Sequence, residues 1–303
     1  MSFLDQIQRW VKEPPPEYLF ELSESALAWA QPRDPANVRL EEFPTKALAP
    51  SPAEPNLTRY DLFQAALPKT GNGGGRARAG LIIPDYAARL AVLDFAEFPN
   101  DEEQRLALVK FRLRKSVPFP IDDARVSCFV QGREAGDKGI EVLAAVISRT
   151  VLEEYEALLR GAGFQVGLVV PSSFALLPLL AGAPGVLTLF AKLSGSILSI
   201  MLLEQRRIRV VRCIDLTSEE TDQSEGDSLT STILQQTVAY AEDELHQPVQ
   251  RMVLCGFGRE TDRIGASFQK EFGFTWGQLA SHHGQAATQE SAGLLGLLEQ
   301  YHA

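Results

Sequence analysis

Hydrophobic and polar positions follow two different periods along the chain, and each period predicts one kind of element. Short apolar runs such as 81–84 and 89–95 predict strands, whereas 100–116, with apolar residues three or four apart, predicts a helix. Strands alternate with helices twice along the 303 residues, with a proline- and glycine-containing break near residue 184. This order predicts an α/β fold built from two halves.

The remaining elements follow from the same patterns and from turn residues between them. A strand hairpin is predicted over 18–31 and a proline-rich extended connection over 32–55. Glycines at 71–75 predict a linker and not a phosphate loop, because no G-K-[ST] follows them. Further predictions, in chain order, are a helix over 57–67, a hairpin over 125–148, a helix over 150–164, strands over 185–216, an acidic loop over 216–228, a long helix over 228–245, a strand over 251–256 and helices over 257–273 and 288–301.

The first residues predict an amphipathic helix followed by a proline linker, over 1–17. One helical face carries Phe3, Leu4, Ile7, Trp10 and Val11, and Pro14-Pro15-Pro16 ends the pattern. Such a helix packs on its own domain or docks on a partner or a membrane, and the pattern leaves both open. It lacks the long apolar core of a signal peptide.

Composition narrows the possible partners and chemistry. A net charge of −10 argues against nucleic acid and against broad adhesion to an anionic membrane. Cys128, Cys213 and Cys255 are isolated in apolar surroundings, which favours buried thiols in a reducing compartment. His282-His283 has no metal-ligand spacing, so no metal and no catalytic residue is expected.

The stretch KSVPFPIDD, 115–123, breaks the helix that precedes it. Pro118 stops the helix and biases Val117 to an extended conformation, and Pro120 repeats the constraint. Phe119 then lies on a stiff elbow, where it fills either the domain's own core or a groove for a partner. The residues alone leave these two roles open.

With that elbow, the chain resembles the PilM family, the actin-like proteins of type IV pilus assembly. The resemblance rests on VPFPIDDARVSCFV and continues through EVLAAVISRTVLEEYEALLRGAGFQVGLVVPSSFAL, LTSTILQQTVAYAEDE, RMVLCGFGRE and QESAGLLGLL. It implies an actin-like (FtsA/PilM-type) two-domain α/β fold with an inserted α/β subdomain. The expected boundaries are 18–183 for the first domain, about 92–165 for the insert and 184–303 for the second domain.

The resemblance also implies a partner. In PilM-like proteins, a groove between the inserted subdomain and the first domain receives the N-terminal tail of the membrane protein PilN. We expect Val117, Phe119 and Ile121 to line that groove here. The expected location is the cytoplasmic face of the inner membrane, held there by the partner together with other pilus platform components.

Actin-like ATPases bind nucleotide through two D-x-G turns and a glycine pair, and this chain departs from that pattern. At the first turn Glu21 replaces the Asp and Ser23 the Gly, with Glu24 and Ser25 beside them. Glu24 would repel phosphate unless a cation intervened.

At the second turn, the alignment of strands places Phe190 at the position of the Asp and Lys192 at the position of the Gly. No acidic residue lies between Gly185 and Leu203. The glycine pair persists as Gly256 and Gly258. ATP turnover requires a metal and a positioned water together, so we expect no hydrolysis and no cofactor, although ATP with Mg²⁺ stays open as a ligand of these degenerate sites.

Three alternatives remain. The first is an active actin-like ATPase, sugar kinase relative or nucleotide switch that uses Glu21 and Asp215 as substituted carboxylates. The second is a GspL-like type II secretion component, which normally continues into a transmembrane helix. The third is an FtsA-like protein, which usually ends in an amphipathic membrane helix, whereas GLLGLLEQYHA closes a domain helix here.

Overall fold

A computed structural model describes residues 15–69, 76–131, 139–180, 185–205, 207–218, 223–281 and 286–302. The predicted helix and linker at 1–14, the glycine linker at 71–75 and His282-His283 lie outside these ranges. The chain forms two compact units, one holding residues up to Pro178 together with Glu290 onward, the other Leu179–Gln289.

The first unit is built on a five-stranded mixed sheet with strand order β3-β2-β1-β4-β8. Its strands are β1 Tyr18–Leu22, β2 Ala26–Gln31, β3 Asp34–Glu42, β4 Ala77–Ile83 and β8 Phe164–Pro171. Strands β1, β4 and β8 run parallel, so their carboxyl ends meet at one edge of the sheet. Helices α1, Tyr60–Ala66, and α3, Arg149–Gly161, contribute to its core, in which Phe20, Phe63, Tyr155 and Phe164 are fully buried.

The proline-rich connection is held to α3 by a closed set of hydrogen bonds. The Asn56 side chain is fully buried; its oxygen accepts from Tyr155 Oη at 2.9 Å and Ser51 N at 3.1 Å. Its amide nitrogen donates to the carbonyls of Ser51 and Glu54. All four hydrogen-bonding positions of this amide are therefore used.

The inserted subdomain is a three-stranded antiparallel sheet, order β5-β7-β6, with one helix on one face. Its elements are β5 Arg89–Phe95, α2 Glu102–Leu113, β6 Arg125–Val130 and β7 Ile140–Ile147. Val109 and Leu113 of α2 pack with Ile121, Val142 and Val146. The insert thus spans 89–147, shorter than the predicted 92–165 at its end, because α3 belongs to the core of the first sheet.

The second unit contains another five-stranded sheet, order β11-β10-β9-β12-β13. Its strands are β9 Leu187–Ser194, β10 Ile197–Glu204, β11 Arg207–Asp215, β12 Arg251–Cys255 and β13 Thr275–Gln278. Helices α5, Gln223–Asp243, and α6, Thr261–Phe272, bury Leu234, Val238, Ile264 and Phe268 against one face of it.

The last helix returns to the first unit. Helix α7, Ala292–His302, packs on the short helix α4, Ser172–Ala175, and on β1 and β2. A side chain added at Gly296 would stand 2.3 Å from the Ala175 carbonyl oxygen, so glycine permits this close approach. The predicted second domain, 184–303, therefore needs correction at its end, since residues from 290 onward cluster with the first unit.

Local elements differ from the sequence predictions at several places. The proline-rich connection contains a third strand, β3, at the edge of its sheet, where Pro35 is tolerated because no further strand pairs with it. Helix α2 is capped by the Asp101 side chain, which accepts from Gln104 N at 2.9 Å, and not by Asn100. The predicted acidic loop is shorter, because α5 begins at Gln223.

Within the described ranges, no helix is both long and apolar enough to cross a membrane.

Candidate functional site

A groove lies in the first unit between the main sheet and the inserted sheet. It has a volume of about 280 Å³. One wall is the edge strand β8 and the other is formed by β6 and β7. Its lining is mainly aliphatic and consists of Ile83, Ala88, Arg125, Val126, Ser127, Ala145, Val146, Ile147, Leu152, Glu156, Val166, Gly167, Val169 and Pro171.

The wall formed by β8 leaves room at one position in particular. The pairing of β8 with β4 shifts after Val166, so Gly167 is an extra residue between Val166 and Leu168. A side chain added at Gly167 would meet nothing within 4 Å. Gly167 therefore borders open groove space, in a strand whose other edge carries no further strand.

Polar groups lie at the same groove. Arg125 and Ser127 of β6 are exposed, and Glu156 of α3 is partly exposed. The groove thus offers an aliphatic lining with a cation, a hydroxyl and a carboxylate, which suits an extended peptide with apolar side chains.

The elbow residues lie elsewhere. Ile121 is only 3% exposed and belongs to the buried core of the insert, against which Val117 and Phe119 also pack. None of the three is among the residues that line the groove. The three residues therefore have contacts in the core of the insert, and their predicted role in receiving a partner's tail stays a prediction.

Glu21, which the resemblance places at the first phosphate turn, acts as a structural anchor. Glu21 is 1% exposed. Its Oε1 accepts a hydrogen bond from Ser172 Oγ at 2.5 Å, and its Oε2 accepts one from Leu294 N in the first turn of α7 at 2.7 Å. A side chain at Gly293 would stand 3.0 Å from Oε1. The carboxylate therefore serves the N-terminus of a helix of its own chain, where negative charge is favourable.

The rest of this hairpin is also occupied internally. The Ser23 backbone N–H and hydroxyl both donate to the Ala26 carbonyl, and the Ser25 carbonyl accepts from Phe43 N at 2.7 Å. The Lys46 ammonium lies 2.6 Å from Glu24 Oε2. The positive charge next to Glu24 is therefore supplied by Lys46 of the protein itself.

A second buried pair extends this polar cluster. Asp85 lies two residues after the end of β4 and is 4% exposed; its carboxylate accepts from Ser173 N at 2.7 Å and Ser173 Oγ at 2.6 Å. Asp85, Ser172 and Ser173 were not singled out from the sequence. Their position just after buried parallel strands was the available signal, since such side chains gather at one edge of a sheet.

The second phosphate turn is displaced from the sequence alignment. Phe190 and Lys192 lie within β9, fully buried and 3% exposed respectively, and not in a turn. The hairpin turn comes after Ser194, where Gly195 has a positive φ of 58°. Lys192 is thus not a solvated turn residue, and the turn itself has no acidic residue.

The glycine pair has a packing role in the second unit. Gly256 has a φ of 81°, and a side chain there would stand 2.0 Å from the Leu193 carbonyl oxygen. Gly258 also has a positive φ, of 54°, with open space around it. Gly256 is therefore required by strand packing whether or not a nucleotide binds.

Other candidate ligands do not assemble into a centre. Asp215 Oδ1 accepts from the backbone and hydroxyl of Thr217, which closes a local turn. Among the residues whose placement is described, no group of three or more His, Cys, Asp or Glu could hold a metal ion. The three cysteines are free thiols.

Comparison with known proteins places the fold. No protein-family model and no curated protein sequence matches the chain. Among solved structures, a PilM–PilN type IV pilus biogenesis complex matches with a TM-score of 0.71 at 15% identity, over 94% of this chain and 98% of that one. A Bacteroides thetaiotaomicron protein with an actin-like ATPase fold and unknown function matches at 0.55 and 12%, over 94% and 97%.

The cytoplasmic domain of EpsL, an inner-membrane component of the Vibrio cholerae type II secretion system, reaches a TM-score of 0.47 at 12% identity, over 94% of this chain and 93% of that one. That score is too low to bear on the type II secretion alternative. The two higher scores, over nearly the whole of each chain, show that this protein has the actin-like ATPase fold in the form seen in PilM.

Proposed function

We propose that this protein is a cytoplasmic scaffold of a type IV pilus inner-membrane platform. In this role it binds the extended N-terminal tail of a PilN-like membrane protein in the groove between β8 and the inserted sheet. The observation that carries the proposal is the groove itself, with an aliphatic lining and an open wall at Gly167. The matching fold of a protein solved as a PilM–PilN complex supports it.

The scaffold role includes no ATP hydrolysis. The carboxylate at the first phosphate turn is held by Ser172 and Leu294, and the second turn carries no carboxylate that could hold metal water. Localisation then depends on the tail, which would hold the protein at the inner face of the inner membrane.

A groove-filling substitution tests the tail site. Gly167→Leu places a side chain in open groove space without a positive φ to strain it, so folding is retained while the tail is displaced. Gly277→Leu is the matched control, because a side chain there also meets nothing within 4 Å, in the other unit. Binding of a synthetic tail peptide is measured by fluorescence anisotropy.

We expect the wild type and Gly277→Leu to bind the peptide alike and Gly167→Leu to lose affinity by about tenfold or more, because a blocked central contact costs over 1 kcal/mol. Equal binding by all three proteins, or no binding at millimolar peptide, would refute the groove as the tail site. Calorimetric titration with ATP and Mg²⁺ tests the second part, and tight magnesium-dependent binding would contradict it.

A further inference from the structure

Helix α2 carries an apolar side chain on its outer face. Phe111 is 73% exposed, whereas the other exposed large hydrophobic side chains, Leu40, Tyr60 and Tyr240, range from 38% to 43%. Val109 and Leu113, two residues to either side, are 0% and 3% exposed. A residue two positions away points to the opposite side of a helix, so burial of those two leaves Phe111 in solvent.

Four basic residues lie close to Phe111 in the sequence, on the last turn of α2 and just beyond it. They are Lys110, Arg112, Arg114 and Lys115. Over the whole chain, acidic residues outnumber basic ones, 39 to 29. We name these four residues and Phe111 the α2 patch.

The contacts of the α2 patch with acidic groups leave it a net excess of positive charge. Asp122 lies 3.0 Å from Arg114, in an ion pair whose side chains are 61% and 77% exposed. Lys110 Nζ donates to a backbone carbonyl, that of Asp122, and Arg112 lies over the Phe95 ring and donates to the Asp94 carbonyl. Contacts with carbonyls and a ring leave each cation's charge in place. Two further exposed acidic residues lie in this region, Asp94, whose carbonyl Arg112 contacts, and Asp123, next to Asp122, so four cations face three carboxylates.

The acidic residues of the first turn of α2 lie far enough away to leave this field intact. Glu102 and Glu103 are at the other end of the helix, and Glu103 precedes Phe111 by eight positions. That corresponds to about 12 Å, which exceeds the screening length of about 8 Å at physiological ionic strength. The patch therefore keeps a small positive excess on a protein that is acidic overall.

The shape of the patch favours one class of partner. Phe111 projects from a convex helix surface, whereas a peptide ligand is usually received in a groove. A ring that projects among cations suits a deformable anionic surface, where aromatic side chains enter the interface and basic side chains meet headgroups.

We infer that the α2 patch contacts the anionic lipid surface of a membrane, with Phe111 entering the headgroup region. This goes beyond the proposed tail binding and does not depend on it. Because the rest of the protein is acidic, repulsion confines the contact to this face, which fixes one orientation of the chain on the bilayer.

Sedimentation with lipid vesicles tests the contact, using the full chain without any peptide. Vesicles contain phosphatidylcholine with phosphatidylglycerol, or phosphatidylcholine alone. The variants are Phe111→Ser and Lys115→Glu. Their matched controls are Tyr240→Ser, which removes another exposed aromatic ring, and Arg39→Glu, which makes the same change in net charge on exposed strand β3.

The wild type and both controls are expected to bind the anionic vesicles and to be released by salt. Each basic residue near an anionic surface contributes about fivefold in affinity, so reversing Lys115 should weaken binding by about tenfold or more. Phe111→Ser should weaken it without changing the salt dependence. Equal binding by variants and controls, or no binding to anionic vesicles, would overturn the inference.

Entry of the residue 111 side chain into the bilayer is measured by fluorescence. Phe111→Trp places an indole at the predicted contact, and its emission is compared with that of the wild type, which has three tryptophans. On anionic vesicles with brominated acyl chains, we expect the added signal to shift to the blue and to be quenched. No quenching, with binding instead to polyglutamate in solution, would mean that the patch recognises an acidic peptide and not a bilayer.

Discussion

The Glu21 carboxylate accepts a hydrogen bond from the Leu294 backbone N–H at 2.7 Å, across 273 positions of sequence. The interaction ties strand β1 to the first turn of α7 in the same unit. It places the carboxylate at a helix terminus that needs an acceptor. The carboxylate that the resemblance aligns with a phosphate turn thus holds the C-terminal helix in place.

Removing this carboxylate should destabilise the first unit. Glu21→Ala leaves the Ser172 hydroxyl and the Leu294 N–H buried without this acceptor and adds a cavity, so we expect a loss of about 2–4 kcal/mol in the free energy of unfolding. Glu21→Gln should cost much less, because its carbonyl still accepts from Leu294 and its amide can donate to Ser172 Oγ.

Urea unfolding, with limited proteolysis of the C-terminal helix, measures both variants. The test is the order of stability among the wild type, Glu21→Gln and Glu21→Ala. A carboxylate that served only nucleotide binding would leave the three proteins equally stable without nucleotide. An alanine variant as stable as the wild type would contradict the anchoring role.

The buried amide of Asn56 gives a second stability prediction. Asn56→Ala removes two donors and one twice-used acceptor, leaving Tyr155 Oη and Ser51 N without their partner. We expect a loss of about 2–4 kcal/mol, because several buried polar groups become unpaired at once.

Asn37→Ala provides the matched control. Asn37 is exposed and donates one long hydrogen bond, of 3.4 Å, to Asp34, so its loss should change the free energy of unfolding by less than about 0.5 kcal/mol. Denaturant titration of the two variants side by side gives the comparison. Similar small effects at both sites would show that the connection is not held by Asn56.

Local patterns predicted the regular elements well, because burial imposes a period on each segment. The run 89–95 coincides with β5, whereas the helix predicted over 100–116 ends at Leu113, five residues before Pro118. The order of such segments predicted two α/β halves, and the actin-like fold was implied by the resemblance to the PilM family. Strand β3 was not predicted, because a proline-containing edge strand has no apolar face that would mark it in the sequence.

Long-range relationships were not accessible in the same way. No local pattern tells which sheet covers α7, so its return to the first unit was missed, and with it the partner of Glu21. The groove was expected between insert and first domain, but its lining depends on which face of the inserted sheet turns toward β8. The elbow residues pack in the cluster under α2, from which Val126 and Val146 also reach the groove.

The elbow and the groove can be separated by mutation. Ile121→Ala should lower the stability of the insert by about 2–4 kcal/mol, because the side chain is buried among Val109 and Leu113. Tail-peptide affinity, measured below the unfolding transition, should stay near that of the wild type for Ile121→Ala and Phe119→Ala. A loss of affinity as large as that of Gly167→Leu would return the elbow to the binding site.

Two tyrosines, the fully buried Tyr155 and the partly buried Tyr301, predict how stability falls at alkaline pH. Burial raises the pKa of Tyr301 to about 12 and, with a smaller effect of Glu154, raises the pKa of Tyr155 well above its ordinary value. Unfolded tyrosines titrate near pH 10, so above that pH the unfolded state loses protons that the folded state keeps. The stability contribution is fully present below about pH 10 and is lost as pH rises toward 12.

Tyr301→Phe isolates one of these groups, because it removes the titrating hydroxyl and keeps the aromatic ring. We expect its free energy of unfolding to fall less steeply than that of the wild type between about pH 10 and 12, with no difference in slope near neutrality. Urea unfolding at a series of pH values gives the slopes, and phenolate absorbance gives the titration directly. Parallel curves for the two proteins would mean that Tyr301 titrates alike in the folded and unfolded states, which its burial argues against.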